Sequence, residues 1–171
     1  MKLVLIGGLF ALPLVAGWAA YLAGWVPGRT SNYGTLIAPR PIGAEPLAAL
    51  RGRWVLVSFD GGACDAHCEK KLYYMRQVRR AQGKEMGRVE RLWLVTDALE
   101  PRTELRAAIE GTRIAHAGAE VAAAFAAEGV AADHIYLVDP LGNLMLRFPR
   151  DPDPAKMVKD LERLLKYSGF G

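Results

Sequence analysis

The two cysteines of the chain, Cys64 and Cys68, have a spacing that points to chemistry. They follow a Gly-Gly turn, and a helical stretch is predicted from about Cys64 to Ala81, so both sulfurs should lie at a helix N-terminus. Free N–H groups and the helix dipole favour a thiolate there, and at least one sulfur should ionise more readily than a free thiol, whose pKa is about 8.5. Cα atoms at this spacing can approach to roughly 4.4–6.8 Å, which permits a disulfide.

Three uses of this cysteine pair follow from its position. The pair could cycle between dithiol and disulfide, or its two thiolates could bind one soft metal ion such as Cu(I), with an imidazole from elsewhere as third ligand. The third use is purely structural, as two buried and inert thiols on a core-facing stripe. Two cysteines are too few for the disulfide scaffold of a small secreted protein, which favours a chemical role.

The histidines supply candidates for the imidazole. His134 directly precedes an apolar strand. In the fold that the predicted elements form, the loop that contains His134 lies against the helix N-terminus that bears the cysteines. It is therefore a candidate third metal ligand or proton-transfer partner, with an ordinary loop histidine as the alternative. His67, inside the cysteine pair, is interpreted as an exposed helix residue or as a donor to a metal. His116 is assigned no role.

The elements that must position these residues follow from hydrophobic periodicity and turn signals. Their order is β-α-β-α-β-β-α when the two helices between the second and third strands are taken together, with a crossover first and a hairpin last, which is the order of the thioredoxin fold. We therefore predict an α/β, thioredoxin-like domain with a central mixed sheet flanked by helices. The predicted strands are 54–59, 89–96, 135–138 and 143–148, and the predicted helices are 64–81, 103–110, 119–127 and 154–167.

The N-terminal segment differs in composition from the rest. From Leu3 to Val26 there are 24 consecutive residues without a charge, a little more than the roughly 20 needed to cross a bilayer. We predict a single transmembrane helix over residues 1–26, a linker over 27–46 and the thioredoxin-like domain over 47–171. A cleaved signal peptide is the alternative, but its apolar region would be shorter, about 7–15 residues. Lys2 and the N-terminal amine precede the segment and Arg29 follows it, a slight asymmetry of positive charge that favours an N-terminus in the cytoplasm and the domain outside it.

Charge excludes one class of function. The net charge of +4 comes from scattered Lys and Arg with one denser stretch between Lys70 and Lys84, and no aromatic-interleaved basic motif is present. A nucleic-acid partner is not expected. The basic stretch is interpreted as a solvated helix face, with anionic lipid headgroups or an acidic partner as alternatives. Asp60 is interpreted as a turn former and Asp65 as a residue of the first helical turn.

Two motifs resemble the Sco/SenC family of membrane-anchored thioredoxin-fold proteins. The segment Cys64-Asp65-Ala66-His67-Cys68 has the family's C-x-x-x-C spacing, and Asp133-His134 before Tyr136-Leu137-Val138-Asp139-Pro140-Leu141-Gly142 is similar to its Asp-His and Tyr-Leu-x-Asp-Pro-x-Gly motifs. The resemblance implies copper, as Cu(I) or Cu(II), bound by Cys64, Cys68 and His134. It also implies copper delivery to, or thiol reduction of, a cytochrome c oxidase subunit, by a single-pass protein of the inner membrane with its C-terminal domain in the periplasm.

Two other functions remain open at this point. In a general membrane-tethered thiol-disulfide oxidoreductase, Cys64 would attack a client disulfide and Cys68 would resolve the mixed disulfide, making both residues catalytic without stoichiometric copper. In a scaffold subunit of a membrane complex, the fold would be kept and the chemistry lost. Enzyme activity is therefore an open question from the sequence.

Overall fold

Helix α1 (Lys2–Leu22) belongs to the first of two units into which the chain divides, residues 1–31 and 32–171. The computed structural model describes residues 2–25, 31–126 and 129–169. α1 contains Pro13, and its large apolar side chains from Ile6 to Leu22 are exposed. Within the described ranges, no helix combines the length and apolar character that crossing a membrane requires, and the predicted transmembrane helix is not confirmed.

The second unit is built on a six-stranded mixed sheet with the strand order β1-β6-β5-β2-β3-β4. β2 is central, parallel to β3 and antiparallel to β5, and every residue of it is buried because both faces of the sheet are covered. The strands are β1 (Thr35–Pro41), β2 (Trp54–Asp60), β3 (Val89–Val95), β4 (Arg113–His116), β5 (Ile135–Val138) and β6 (Asn143–Arg147).

Helices cover both faces of this sheet. Alternate residues of β2 and β3 face opposite sides, so Leu56 and Trp93 pack in one core cluster while Val57 and Leu92 pack in the other. The first cluster is closed by α2, α3 and α5, and the second by α4 and a 3₁₀ turn at Ala48–Leu50. The helices of this unit are α2 (Ala66–Ala81), α3 (Thr103–Ala108), α4 (Ala119–Ala126) and α5 (Pro154–Tyr167).

The crossover and the hairpin predicted from the sequence are both present. β2, α2 and β3 form a parallel crossover unit, and β5 and β6 form an antiparallel hairpin. Asp139 shapes its turn: the Oδ1 atom accepts hydrogen bonds from the N–H groups of Leu141 and Asn143, at 2.9 and 2.8 Å. This is the local bonding by which Asp commonly forms turns.

Two strands of the sheet were not predicted. β1 lies inside residues 27–46, which the sequence indicated as a linker, and pairs with β6 at one edge of the sheet. β4 lies between α3 and α4 and pairs with β3 at the other edge. Both are edge strands with few buried residues, so they lack the hydrophobic alternation that marks a strand in a sequence.

Candidate functional site

The cysteine loop begins where the central strand ends. β2 finishes at Asp60, and the chain then turns so tightly that the Cys64 N–H donates to the Gly61 carbonyl oxygen at 3.1 Å. Cys64 has a φ of 45°, a left-handed conformation that few non-glycine residues adopt. The structure therefore places Cys64 in a tight turn before α2 rather than in the helix.

A second loop, after β3, holds this turn in position. The Gly62 N–H donates to Asp97 Oδ1 at 2.8 Å, and a Cβ atom at Gly62 would lie only 1.7 Å from the Leu99 carbonyl oxygen. Glycine is needed because any side chain would collide with that backbone. Neither Asp97 nor Leu99 was expected at this site from the sequence, in which the Gly-Gly pair is the one signal for a close backbone approach.

The second sulfur lies in the first turn of α2. Asp65 is the N-cap of this helix, and its Oδ1 accepts a hydrogen bond from the Cys68 N–H at 2.9 Å. This bond lowers the pKa of Asp65 below its ordinary value of 3.8. The helix was predicted to begin at about Cys64. It begins at Ala66, because Asp65 has an extended backbone and its side chain caps the first helical turn.

Cys64 and Cys68 are joined by a disulfide, with their Cα atoms 5.2 Å apart. Both side chains are buried, with exposed fractions of 5% and 1%, and they belong to the core cluster beneath α2. Their neighbours Ala63, Asp65 and Ala66 are exposed, so the bond lies one layer below the surface. The structure thus brings the two sulfurs together, as an oxidised pair shielded from solvent.

A buried ion pair lies at the base of the same loop. Lys71 Nζ lies 2.9 Å from Asp60 Oδ2, and the exposed fractions of the two side chains are 1% and 10%. Burial raises the pKa of Asp60 above its ordinary value of 3.8, against the opposing effect of Lys71. The interpretation of Asp60 as a simple turn former is therefore incomplete. Lys71 was not predicted from the sequence as part of the site, although it lies at helical spacing from Cys68 and Met75 on the buried face of α2.

Lys71 also joins the cysteine helix to the segment that carries His134. Its ammonium group donates to the carbonyl oxygens of Phe59, at 3.3 Å, and of Ala132, two residues before His134. All three partners of this lysine belong to the end of β2 or to the 3₁₀ turn at Ala131–Asp133. Lys71 therefore fixes α2 to the segment in which the sequence placed the candidate third ligand.

His134 is held in one orientation. Its Nδ1 lies 2.8 Å from the Phe148 carbonyl oxygen, and because a carbonyl only accepts, Nδ1 must carry the proton. Burial lowers the pKa of His134 below its ordinary value of 6.5. A neutral imidazole with its proton on Nδ1 leaves the Nε2 lone pair free, which is the usual state of a metal-binding or proton-accepting histidine.

The other two histidines occupy different settings. His67 is partly buried in the first turn of α2, and its Nε2 has no hydrogen-bond partner within the described part of the chain. The interpretation of His67 as an exposed helix residue is therefore wrong. His116 is exposed at the end of β4, with its Nδ1 3.1 Å from the carbonyl oxygen of Asp97.

A metal site is not assembled in this oxidised state. Among residues 2–25, 31–126 and 129–169, no three His, Cys, Asp or Glu side chains come together as a metal site would require. Sulfurs joined to each other are not thiolates, so the predicted set of Cys64, Cys68 and His134 could bind copper only after reduction. The donor types suit Cu(I), since two thiolates and an imidazole are soft or intermediate ligands.

Comparison with known proteins supports the fold. Residues 54–168 match the family model described as transmembrane-like, thioredoxin-like, C-terminal domain. No protein of curated function matches the chain in sequence. The predicted thioredoxin-like α/β fold with a mixed sheet is confirmed.

Several solved structures are similar. ScoI of Bradyrhizobium japonicum with copper bound is 22% identical, with a TM-score of 0.54 over 68% of this chain and 88% of that one. Yeast Sco1 with copper bound is 13% identical, with a TM-score of 0.59 over 80% and 90%. BsSco, described as a Sco-family cytochrome c oxidase assembly protein with a disulfide switch, is 14% identical, with a TM-score of 0.54 over 81% and 96%. The resemblance predicted from the two motifs is confirmed at the level of the fold.

Proposed function

The chain belongs to the family of transmembrane-like, thioredoxin-like C-terminal domains and is Sco/SenC-like in its fold, and from that premise we propose that it is a copper chaperone and thiol reductase serving the copper site of cytochrome c oxidase. The observation that carries the proposal is the Cys64–Cys68 disulfide at the N-terminus of α2. Support for the copper cargo comes from the copper-bound relatives, and support for the oxidase comes from the description of BsSco.

The proposed cycle starts from the disulfide. A partner dithiol supplies two electrons and two protons, which convert the disulfide into the thiols of Cys64 and Cys68 while the partner becomes a disulfide. The reduced pair then has two uses. It binds Cu(I) as two thiolates and releases two protons, or it reduces a client disulfide to two thiols as the Cys64–Cys68 bond forms again.

The environment of the pair suits both uses. The disulfide lies at the amino end of α2, where the positive end of the helix dipole stabilises negative charge on a thiolate. The free Nε2 of His134 would serve as the third copper ligand or would accept a thiol proton. Lys71 would hold the His134 segment near α2 through its bond to the Ala132 carbonyl oxygen.

A membrane tether is part of the proposal. The uncharged stretch from Leu3 to Val26 supports an N-terminal anchor in the inner membrane, and the disulfide supports a domain on the oxidising, periplasmic side. Extraction of membranes at alkaline pH tests the anchor: the full chain should stay in the pellet. Protease added to intact spheroplasts should degrade the domain, and protection would place it in the cytoplasm.

Anaerobic Cu(I) titration of the reduced full chain, against a coloured Cu(I) chelator, tests the cargo. We expect one Cu(I) per reduced chain, none for the oxidised chain, and none for Cys64→Ser or Cys68→Ser. His134→Ala should weaken binding, whereas the matched variant His116→Ala should bind as the wild type does. The proposal fails if the reduced wild type competes no better than the two cysteine variants.

A second candidate is a general thiol-disulfide oxidoreductase, favoured by the Cys64–Cys68 disulfide itself, which such a protein would break and form again in each cycle. This protein would cycle between dithiol and disulfide without stoichiometric copper. Two results together would identify this second candidate. The protein would reduce a disulfide-bonded peptide only when both cysteines are present, and it would not compete with the chelator for Cu(I). Unchanged oxidase assembly in cells that carry the Cys64→Ser/Cys68→Ser chain would indicate a scaffold.

A further inference from the structure

Four arginines surround a cavity of about 310 Å³ on the sheet face covered by α2 and α3. Arg76, Arg79 and Arg80 come from α2, and Arg91 comes from β3. Glu110 is the acidic residue among the described residues that line this cavity. One water molecule needs about 10–15 Å³ of such space, so the cavity has room for a small ligand.

Arg91 is the unusual member of this arginine cluster. Arg91 lies on the same face of β3 as Val89 and Trp93, which is the face that packs in the core. It is only 3% exposed. Its Nη2 donates to the Glu110 carbonyl oxygen at 2.7 Å, whereas its Nε and Nη1 have no hydrogen-bond partner among the residues that the structure describes. Arginine is almost never fully buried unless it is paired, so a buried guanidinium with free donors indicates a missing acceptor.

The other arginines are held around Arg91 without neutralising it. Arg76 Nη1 donates to the Ala108 carbonyl oxygen at 2.8 Å and Arg79 Nε to that of Val89 at 2.6 Å, while Arg80 is exposed. None of the four takes part in an ion pair within the described part of the chain. Burial and the repulsion of Arg79, Arg76 and Arg80 lower the pKa of Arg91 to about 10.

We propose that this arginine cluster is a binding site for a phosphate-type oxyanion, either free or as the headgroup of a lipid. A dianion with several acceptor oxygens would accept hydrogen bonds from the guanidinium groups that line the cavity and offset the repulsion among them. Arginine suits this ligand because its planar donors match phosphate oxygens in bidentate geometry. The site lies further along α2 than the disulfide and shares no residue with it. The experiments on copper binding therefore do not test this proposal, and the experiments on the arginines do not test the copper proposal.

Thermal denaturation of the full chain in detergent tests this site, with inorganic phosphate titrated against sodium chloride of equal ionic strength. Phosphate should raise the Tm in a saturable way, since a ligand that binds only the folded state stabilises it. Arg91→Met should weaken binding tenfold or more, because a hydrogen bond to a charged group contributes about 1.5–3 kcal/mol. Arg80→Gln should weaken it up to about fivefold, as expected for an exposed pair.

Arg80→Gln keeps the test decisive if Arg91→Met does not fold, because Arg80 is a surface residue. Arg150→Gln is the matched control, since Arg150 is 66% exposed and pairs with Asp133 outside the cluster. The control should keep the full phosphate response. A Tm rise no larger than that in chloride, or an equal rise in wild type and both cluster variants, would overturn the proposal.

The same assay separates the two sources of the anion. Inorganic phosphate carries about two negative charges near neutral pH, whereas the diester glycerophosphoglycerol carries one and copies an anionic lipid headgroup. Tighter binding of inorganic phosphate supports a free phosphate ligand, and tighter binding of the diester supports a lipid headgroup. In either case, Arg91→Met and Arg80→Gln should weaken the response to the preferred anion by the factors given above.

Discussion

The ammonium group of Lys71 lies 2.9 Å from the carboxylate of Asp60, in a buried position at the end of the central strand. The pair connects two elements that the cysteine chemistry requires, the loop that begins after Asp60 and the helix that carries Cys68. A buried ion pair is costly to form but far more costly to break on one side, because the remaining charge is left without compensation. The rigidity of the loop should therefore depend on both residues.

Replacing one member of this pair should destabilise the fold strongly. Asp60→Asn leaves the Lys71 ammonium buried without a carboxylate, and we expect a loss of about 3–5 kcal/mol in the free energy of unfolding. The double variant Asp60→Asn/Lys71→Met should lose less than the sum of the two single losses, because no buried charge then remains. Urea denaturation followed by far-UV circular dichroism measures all three variants.

An exposed ion pair provides the control for this experiment. Glu100 lies 3.5 Å from Arg106 with most of both side chains in solvent, so Glu100→Gln should change stability little. If the losses in the Asp60 and Lys71 variants add without coupling, the two residues do not act as a pair.

Gly62→Ala should disturb the cysteine loop. The added Cβ would lie 1.7 Å from the Leu99 carbonyl oxygen, so one backbone must move, at a cost of about 1–3 kcal/mol. The displaced loop should also expose the disulfide and speed its reduction by dithiothreitol. Gly87→Ala is the matched control, because nothing lies within 4 Å of the added atom there. Equal stability and equal reduction rates in the two variants would show that the close approach does not matter.

The central part of the fold could be predicted because its signals are local. β5 and α5 have the predicted bounds: β5 is a fully buried apolar run, and α5 begins with the Asp153 cap and Pro154. The edge strands β1 and β4 could not be predicted. β1 contains two prolines and one buried residue, and β4 has four residues, so neither carries an alternating pattern.

The site was predictable where it depended on spacing along the chain, and not where it depended on contacts in space. The interval between Cys64 and Cys68 was enough to predict that their sulfurs could meet. Lys71 and Arg91 were missed, because a charged residue at a core-facing position is normally assigned to the surface. Lys71 is buried because it pairs with Asp60, a contact that the sequence does not reveal. Arg91 is buried although its Nε and Nη1 have no hydrogen-bond partner among the described residues, and no sequence pattern predicts such a position.

Reduction of the disulfide should leave the fold intact. Cys64 and Cys68 are only four positions apart, and closing so short a loop removes little entropy from the unfolded chain, which corresponds to about 2 kcal/mol. Urea denaturation with and without a phosphine reductant should show a loss of this size or less. Cys64→Ala/Cys68→Ala should not respond to the reductant. Global unfolding of the wild type on reduction would make the bond a structural staple rather than a switch.

The stability of the domain should depend on pH through His134. Burial lowers the pKa of this imidazole below 6.5, so the unfolded chain binds a proton over a pH range in which the folded chain does not. The contribution of His134 to stability is therefore present above pH 6.5 and is lost as the pH falls through the folded-state pKa. The free energy of unfolding, measured by urea denaturation between about pH 5 and 7, should rise with pH.

His134→Gln should flatten this part of the pH profile, because glutamine does not titrate and its amide can still donate to the Phe148 carbonyl oxygen that now accepts from Nδ1. His116→Gln, a change at an exposed imidazole, should keep the slope of the wild type. An unchanged slope in His134→Gln would mean that other groups cause the dependence. It would also weaken the case for a neutral His134 with a free Nε2, since the same burial that sets the slope keeps the imidazole unprotonated and able to accept a metal ion or a thiol proton.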